Sequence, residues 1–153
     1  MYRRLTWGLH QLANAVTERL RVHPSYPYML SDQDWSRRLT VDEYEVLRRE
    51  KTERAYSSPL VREFREGTYH CRGCDQPLFE SRHKFDSGRG WPAFSASLPG
   101  VIRTKPDDKL LTQRTEVHCS TCGSHLGHLY DCTLSPGGLR FCINGVSLRF
   151  APS

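Results

Sequence analysis

No apolar run in these 153 residues approaches the roughly 18 needed for a membrane-spanning helix, which excludes an integral helical membrane protein. Low-complexity tracts are absent, as are internal repeats apart from two short cysteine pairs. With 9 prolines spread along the chain and 10% aromatics, collagen, coiled coil and wholesale disorder are also excluded. The net charge of +5 comes from 22 basic residues dispersed among 17 acids, with no Lys/Arg stripe, so neither a nucleic-acid nor a membrane partner is expected. Residues 1–30 hold one acid, Glu18, and have neither a clean apolar segment nor a small-residue cleavage site, so no secretory signal is read there. Leu5, Leu9, Leu12, Val16 and Leu20 recur there at helical spacing beside Arg3, Arg4, Arg19 and Arg21. A transit peptide shares that texture but is usually richer in serine. Residues 1–30 are therefore read as an N-terminal extension. The expected compartment is the reducing cytoplasm of a bacterium, with an organelle as the alternative.

What remains, residues 31–153, suits one domain that needs no disulfide scaffold. Ser31 with Asp34, and Thr40 with Glu43, match the capping box in which hydroxyl and acid satisfy free amides, and predict two short helices. Trp35 and Leu39, then Val41, Tyr44 and Leu47, would pack them on a core. From Gly67 onward short β-rich pieces alternate with Gly, Pro and Asp. Strands are expected at 68–71, 101–104, 114–119, 139–144 and 146–150, giving a mainly β domain with a helical N-terminal wrap.

Four of the six cysteines form two Cys-x-x-Cys pairs, Cys71/Cys74 and Cys119/Cys122. Two thiolates three residues apart can reach one tetrahedral ion from a single knuckle turn, so the pairs predict one closed, structural zinc site per chain. Gly73 and Gly123 would supply backbone freedom to the knuckles. The rival readings are four buried reduced cysteines, or Cys119, Cys122, His125 and His128 as a compact site.

Cys132 and Cys142 stand alone. Read as a strand, 139–144 sends Leu139, Phe141 and Ile143 to one face and Arg140, Cys142 and Asn144 to the other. Cys142 thus shares its face with a guanidinium and an amide, and a nearby cation lowers a thiol pKa, as a nucleophilic cysteine requires. A buried cysteine is the alternative. Trp91, on the loop from Asp86 to Phe94, could receive an apolar ligand group or cap the core. His125 and His128 could be general acids near a thiolate, or simply exposed histidines.

Gly90-Trp-Pro-Ala-Phe94, His125-Leu-Gly-His128, Arg140-Phe-Cys-Ile-Asn144 and the four knuckle cysteines, in this order and spacing, resemble the B-type methionine sulfoxide reductases. The likeness covers residues 31–153 and includes Thr52-Glu-Arg54, Gly67-Thr-Tyr-His-Cys71 and Lys84-Phe-Asp-Ser-Gly88. It implies two antiparallel sheets (a β-tent) with N-terminal helices, and thiol-dependent reduction of methionine-R-sulfoxide, mainly in oxidised proteins. It also implies Cys142 as nucleophile passing through a sulfenic acid, His125 and His128 as proton donors, Asn144 and Arg140 as supporting groups, and Trp91 and Phe94 as substrate-binding residues. A thiol reductant such as thioredoxin would close the cycle, and a monomer suffices. The chain departs from the family where a resolving cysteine commonly precedes the tryptophan by two residues, since Arg89 stands there. Cys132 is then the possible resolving thiol, and direct reduction by an external thiol is the alternative. A zinc-ribbon nucleic-acid binder and a ligand-binding module on the same fold are the competing functions.

Overall fold

The computed structural model describes residues 25–153. The helical pattern in residues 1–24 lies outside the described residues. Helix α1 (Asp32–Arg38) starts where Ser31 accepts from the Asp34 amide, with Asp32 and Asp34 in its first turn and Arg37 and Arg38 in its last, matching its dipole. Helix α2 (Val41–Leu47) has the full reciprocal box: Thr40 accepts from the Glu43 amide, and Glu43 accepts from the Thr40 amide. Trp35, Leu39, Val46 and Leu47 are buried. Val41, expected to pack inward, is instead 78% exposed; it opens the helix on its outer side, and Val46 fills the inner one. The packed unit begins before residue 31: the Tyr28 amide donates to the Thr121 carbonyl at 2.9 Å, and its ring meets Trp35 edge-on at 5.9 Å.

Nine strands follow: β1 (Gly67–Cys71), β2 (Pro77–Glu80), β3 (Lys84–Phe85), β4 (Ala93–Phe94), β5 (Ile102–Asp107), β6 (Arg114–Cys119), β7 (His125–Asp131), β8 (Leu139–Ile143) and β9 (Leu148–Pro152). They form a three-stranded sheet ordered β2-β1-β9 and a six-stranded sheet ordered β3-β4-β8-β7-β6-β5, antiparallel throughout. The mainly β, two-sheet expectation therefore holds. The strand at 114–119 falls where expected, and those at 68–71 and 139–144 shift by one residue at one end. The strand expected at 146–150 starts two residues late, because Gly145–Ser147 turn as a short 3-10 helix first.

The sheets meet on an aromatic core. Tyr69, Phe79 and Phe150 come from the small sheet, Phe94 and Phe141 from the large one; Phe79 stacks on Phe94 at 4.3 Å, and Tyr69 meets both Phe94 and Phe150 at 4.9 Å. Tyr69 keeps its hydroxyl satisfied by donating to the Glu63 carbonyl at 2.8 Å.

Candidate active site and metal centre

Cys71 is the last residue of β1 and Cys119 the last of β6, so each knuckle leaves a different sheet. Each turn closes alike: the Asp75 amide donates to the Cys71 carbonyl at 2.8 Å, and the Gly123 amide to the Cys119 carbonyl at 2.9 Å. The residue after each pair is left-handed, Asp75 at φ 64° and Gly123 at φ 71°. Gly73 serves differently from Gly123: its φ is ordinary, but a Cβ there would lie 2.7 Å from the Ser124 hydroxyl. The four sulfurs lie within 4.8 Å of one another, close enough to hold a single metal ion. Hydrogen bonds among them push the Cys71 and Cys74 thiols up and the Cys122 thiol down. His125 and His128 are not in this cluster, which removes the compact alternative.

The second site is a cleft of about 110 Å³ lined by Thr52, Trp91, Arg114, Gly127, His128, Tyr130, Cys142 and Asn144. Cross-strand pairing builds it. His128 on β7 faces Cys142 on β8, and Cys142 in turn faces Ala93 on β4, two residues beyond Trp91. Strand alternation works as the sequence implied: Phe141 and Ile143 are buried in the core, while Arg140 and Cys142 lie half-buried on the opposite face. β7 and β8 approach so closely that a Cβ on Gly127 would stand 2.0 Å from the Cys142 carbonyl oxygen.

Two histidines three residues apart in a regular strand would point to opposite faces. Here the β6–β7 register shifts: Val117 pairs with Gly127 but His118 with His125, so Leu126 is an extra, bulged residue. The bulge returns both imidazoles to one face, with ring centroids 5.5 Å apart. Asn144 holds it in place, donating from both its amide and its side chain to the Leu126 carbonyl at 2.8 and 3.0 Å. Its side-chain oxygen accepts from the Glu53 amide at 3.0 Å. Glu53 also accepts the Trp91 indole N–H on its carbonyl at 3.1 Å, and its carboxylate receives the amides of Gly145 and Val146. One residue thus fixes the indole, the asparagine and the turn after β8.

Each histidine meets a buried acid. His128 Nε2 donates to Asp107 Oδ2 at 2.8 Å, and Arg114 donates to the same oxygen at 2.8 Å. The His128 contact pulls the Asp107 carboxyl down to about 2. Burial pushes His128 below its usual value, against the pull of Asp107. His125 Nδ1 lies 3.0 Å from Glu116, both almost fully buried, so His125 stands behind His128 rather than on the cleft wall. None of Glu53, Asp107, Arg114 and Glu116 was singled out from the sequence. They lie 26 to 89 residues from Cys142, and only Glu53, within Thr52-Glu-Arg54, belonged to a recognisable pattern.

Three expectations change. Burial raises the Cys142 thiol, and the opposing pulls of Arg140 and Arg89 do not outweigh it, so a neighbouring guanidinium does not by itself give a low-pKa thiol. Phe94 does not reach the cleft; it pairs with Phe141, shares its core-facing side and is completely buried. Cys132 lies beyond β7, its amide donating to the Gly138 carbonyl, four residues along the ladder from the Cys142 level. That is about 13 Å at the rise of a strand, roughly twice the usual Cα separation across a disulfide.

Fold and sites together define a two-sheet β protein with a four-thiol centre and a separate cysteine–imidazole cleft. The SelR domain model matches residues 39–152. A peptide methionine sulfoxide reductase MsrB of Agrobacterium fabrum is 44% identical over 123 residues, covering 80% of this chain and 91% of that protein. Its counterpart in Leifsonia xyli subsp. xyli is 45% identical over 129 residues, covering 83% and 93%. A chloroplastic peptide methionine sulfoxide reductase B1 of Oryza sativa subsp. japonica is 43% identical over 127 residues, covering 82% of this chain and 59% of that longer protein. The chain belongs to the SelR-domain family of B-type peptide methionine sulfoxide reductases.

Proposed function

We propose that this chain reduces methionine-R-sulfoxide, chiefly in oxidised proteins, through the thiol of Cys142. The coarse activity, an oxidoreductase acting on methionine sulfoxide, follows from the family. The observation that carries the finer reading is the pairing of Cys142 with His128 across the cleft, beside the indole of Trp91. Cys142 sulfur attacks the sulfoxide sulfur, and protonated His128 gives the oxygen its proton, without which it leaves poorly. The protonated oxygen then passes to the Cys142 sulfur as the S–O bond and the transient S–S bond break, so methionine departs, Cys142 is left as sulfenic acid, and one thiol has supplied two electrons. His128 donates Nε2–H to Asp107, so Nδ1 is the nitrogen that takes up and gives the working proton. Trp91, held by Glu53, offers an apolar wall for the substrate methyl group, while Asn144 and Arg140 support the thiol's surroundings.

The four-thiol centre is proposed to hold one structural zinc ion. Tetrahedral zinc with Zn–S bonds of about 2.3 Å places its sulfurs about 3.8 Å apart, and the Cys71–Cys122 and Cys74–Cys119 sulfur separations are both 3.7 Å. The ion's positive charge would offset repulsion among the thiolates. A monomer in the cytoplasm, engaged in repair of oxidised proteins and recycled by thioredoxin or another thiol, completes the proposal. Among the described residues no helix is long and apolar enough to cross a membrane.

The test is a single-turnover assay with each sulfoxide epimer and no reductant. One methionine per chain from the R epimer, none from the S epimer and none from Cys142→Ser is the expected result. Undiminished turnover in Cys142→Ser would overturn the assignment.

A further inference from the structure

We propose that Arg89 and Arg140 form a cationic mouth that selects a small anionic thiol, one bearing a carboxylate or sulfonate, as the reductant that regenerates Cys142. The inference rests on the reading of Cys142 as the residue oxidised in turnover. Four of the other five cysteines are gathered in the metal centre, and Cys132 sits about 13 Å along the β7–β8 ladder. The sulfenic acid therefore has no protein thiol beside it, and its reductant enters from solvent.

Charge at the entrance is uneven. Arg114 is paired with Asp107 at 2.8 Å, while the Glu53 carboxylate, hydrogen-bonded by the amides of Gly145 and Val146, is the one negative group that also acts on Cys142. Arg89 and Arg140 form no ion pair among the described residues. Arg89 is exposed, on the loop leading to Trp91. Arg140 lies two residues from Cys142 on the same face of β8, its guanidinium over the Tyr130 ring at 5.0 Å, and its Nε is buried without a partner. Both are near enough to act electrostatically on the Cys142 thiol. Two unpaired cations set against the single Glu53 carboxylate leave net positive charge near this sulfur, which concentrates anions there and repels cations.

The chemistry balances with two thiols. The first, as thiolate, attacks the Cys142 sulfenyl sulfur; an S–S bond forms, the S–O bond breaks, and the oxygen leaves as water after taking a proton. A second thiolate attacks the outer sulfur, leaving as the free disulfide and restoring Cys142. Both attacks bring a negative sulfur to the mouth, where a second negative group on the same molecule adds to the attraction.

Three two-carbon thiols of similar size test this: 2-mercaptoethanesulfonate, 2-mercaptoethanol and cysteamine. Steady-state kcat/KM for each is measured with saturating methionine-R-sulfoxide substrate, and the sulfonate-to-ammonium ratio is compared between variants so that intrinsic thiol reactivity cancels. The wild-type ratio should exceed that of Arg89→Gln by roughly tenfold, as expected for one partly screened charge at close range. Arg89→Glu should lower it further, 0.5 M salt should shrink the differences, and Arg37→Gln on the distant helix α1 should keep the wild-type ratio. An unchanged ratio in Arg89→Gln, or a Cys132–Cys142 disulfide required for turnover, overturns the inference while single-turnover methionine release still stands. Failure of that release in the wild type overturns the reading of Cys142, and the inference with it.

Discussion

Cys142 and His128 face each other as a thiol pushed above 9.0 and an imidazole pushed below 6.5, in both cases mainly by burial. Reaction needs the opposite forms, thiolate and imidazolium. The fraction in that state is small, constant between the two pKa values, and falls outside them. The pH profile of kcat/KM should therefore be flat across neutrality, with limbs below the His128 value and above the Cys142 value. Asp107→Asn removes the contact that holds His128 up, so the acid limb should move to lower pH and the plateau should drop by about tenfold per unit of lost basicity. Asp107 also bears on stability. Its folded pKa of about 2 lies below its ordinary 3.8, so its contribution is present above pH 4 and lost as pH falls toward 2. Acid-unfolding curves of wild type and Asp107→Asn should converge there. Cys142, the two histidines and Trp91 stood out in the sequence because their residue types and local spacing are unusual. The acids behind them did not: Asp107 and Glu116 reach the site through strand pairing, which leaves no short-range pattern.

Strand β7 holds most of what was hidden at the level of elements. Two histidines and a glycine do not resemble a strand, yet Gly127 is required by the close approach of β8, and the Leu126 bulge gives the histidines a common face. Gly127→Ala should therefore destabilise the fold by about 2–3 kcal/mol, as overpacking does, and depress activity by parting β7 from β8; urea denaturation and kcat/KM measure both. The two helices were readable from Ser31, Asp34, Thr40 and Glu43, because caps are written within four residues. Thr40→Ala should cost about 1 kcal/mol with little change in kcat, since helix α2 touches none of the reacting groups.

For the whole molecule, the four-thiol centre joins the small sheet to the large one, since one knuckle ends β1 and the other ends β6. Helix α2 is tied in as well, through Arg48, which stacks on Trp35 at 4.6 Å and donates to the Cys122 carbonyl at 3.2 Å. Elemental analysis should give one zinc per chain. Chelation should remove on the order of 10 kcal/mol of folding free energy, abolishing cooperative thermal unfolding rather than selectively silencing Cys142. The Cys-x-x-Cys spacing made the centre legible, whereas the meeting of the two sheets on Tyr69, Phe79, Phe94 and Phe141 was not, because aromatic residues scattered over 70 positions carry no register. Glu53 brings a last consequence. Because its peptide group and carboxylate anchor the indole, the asparagine and the turn after β8 together, an arriving side chain meets walls already standing. Little of its affinity is spent on ordering them, and loosening this one anchor should raise KM by letting several walls drift at once.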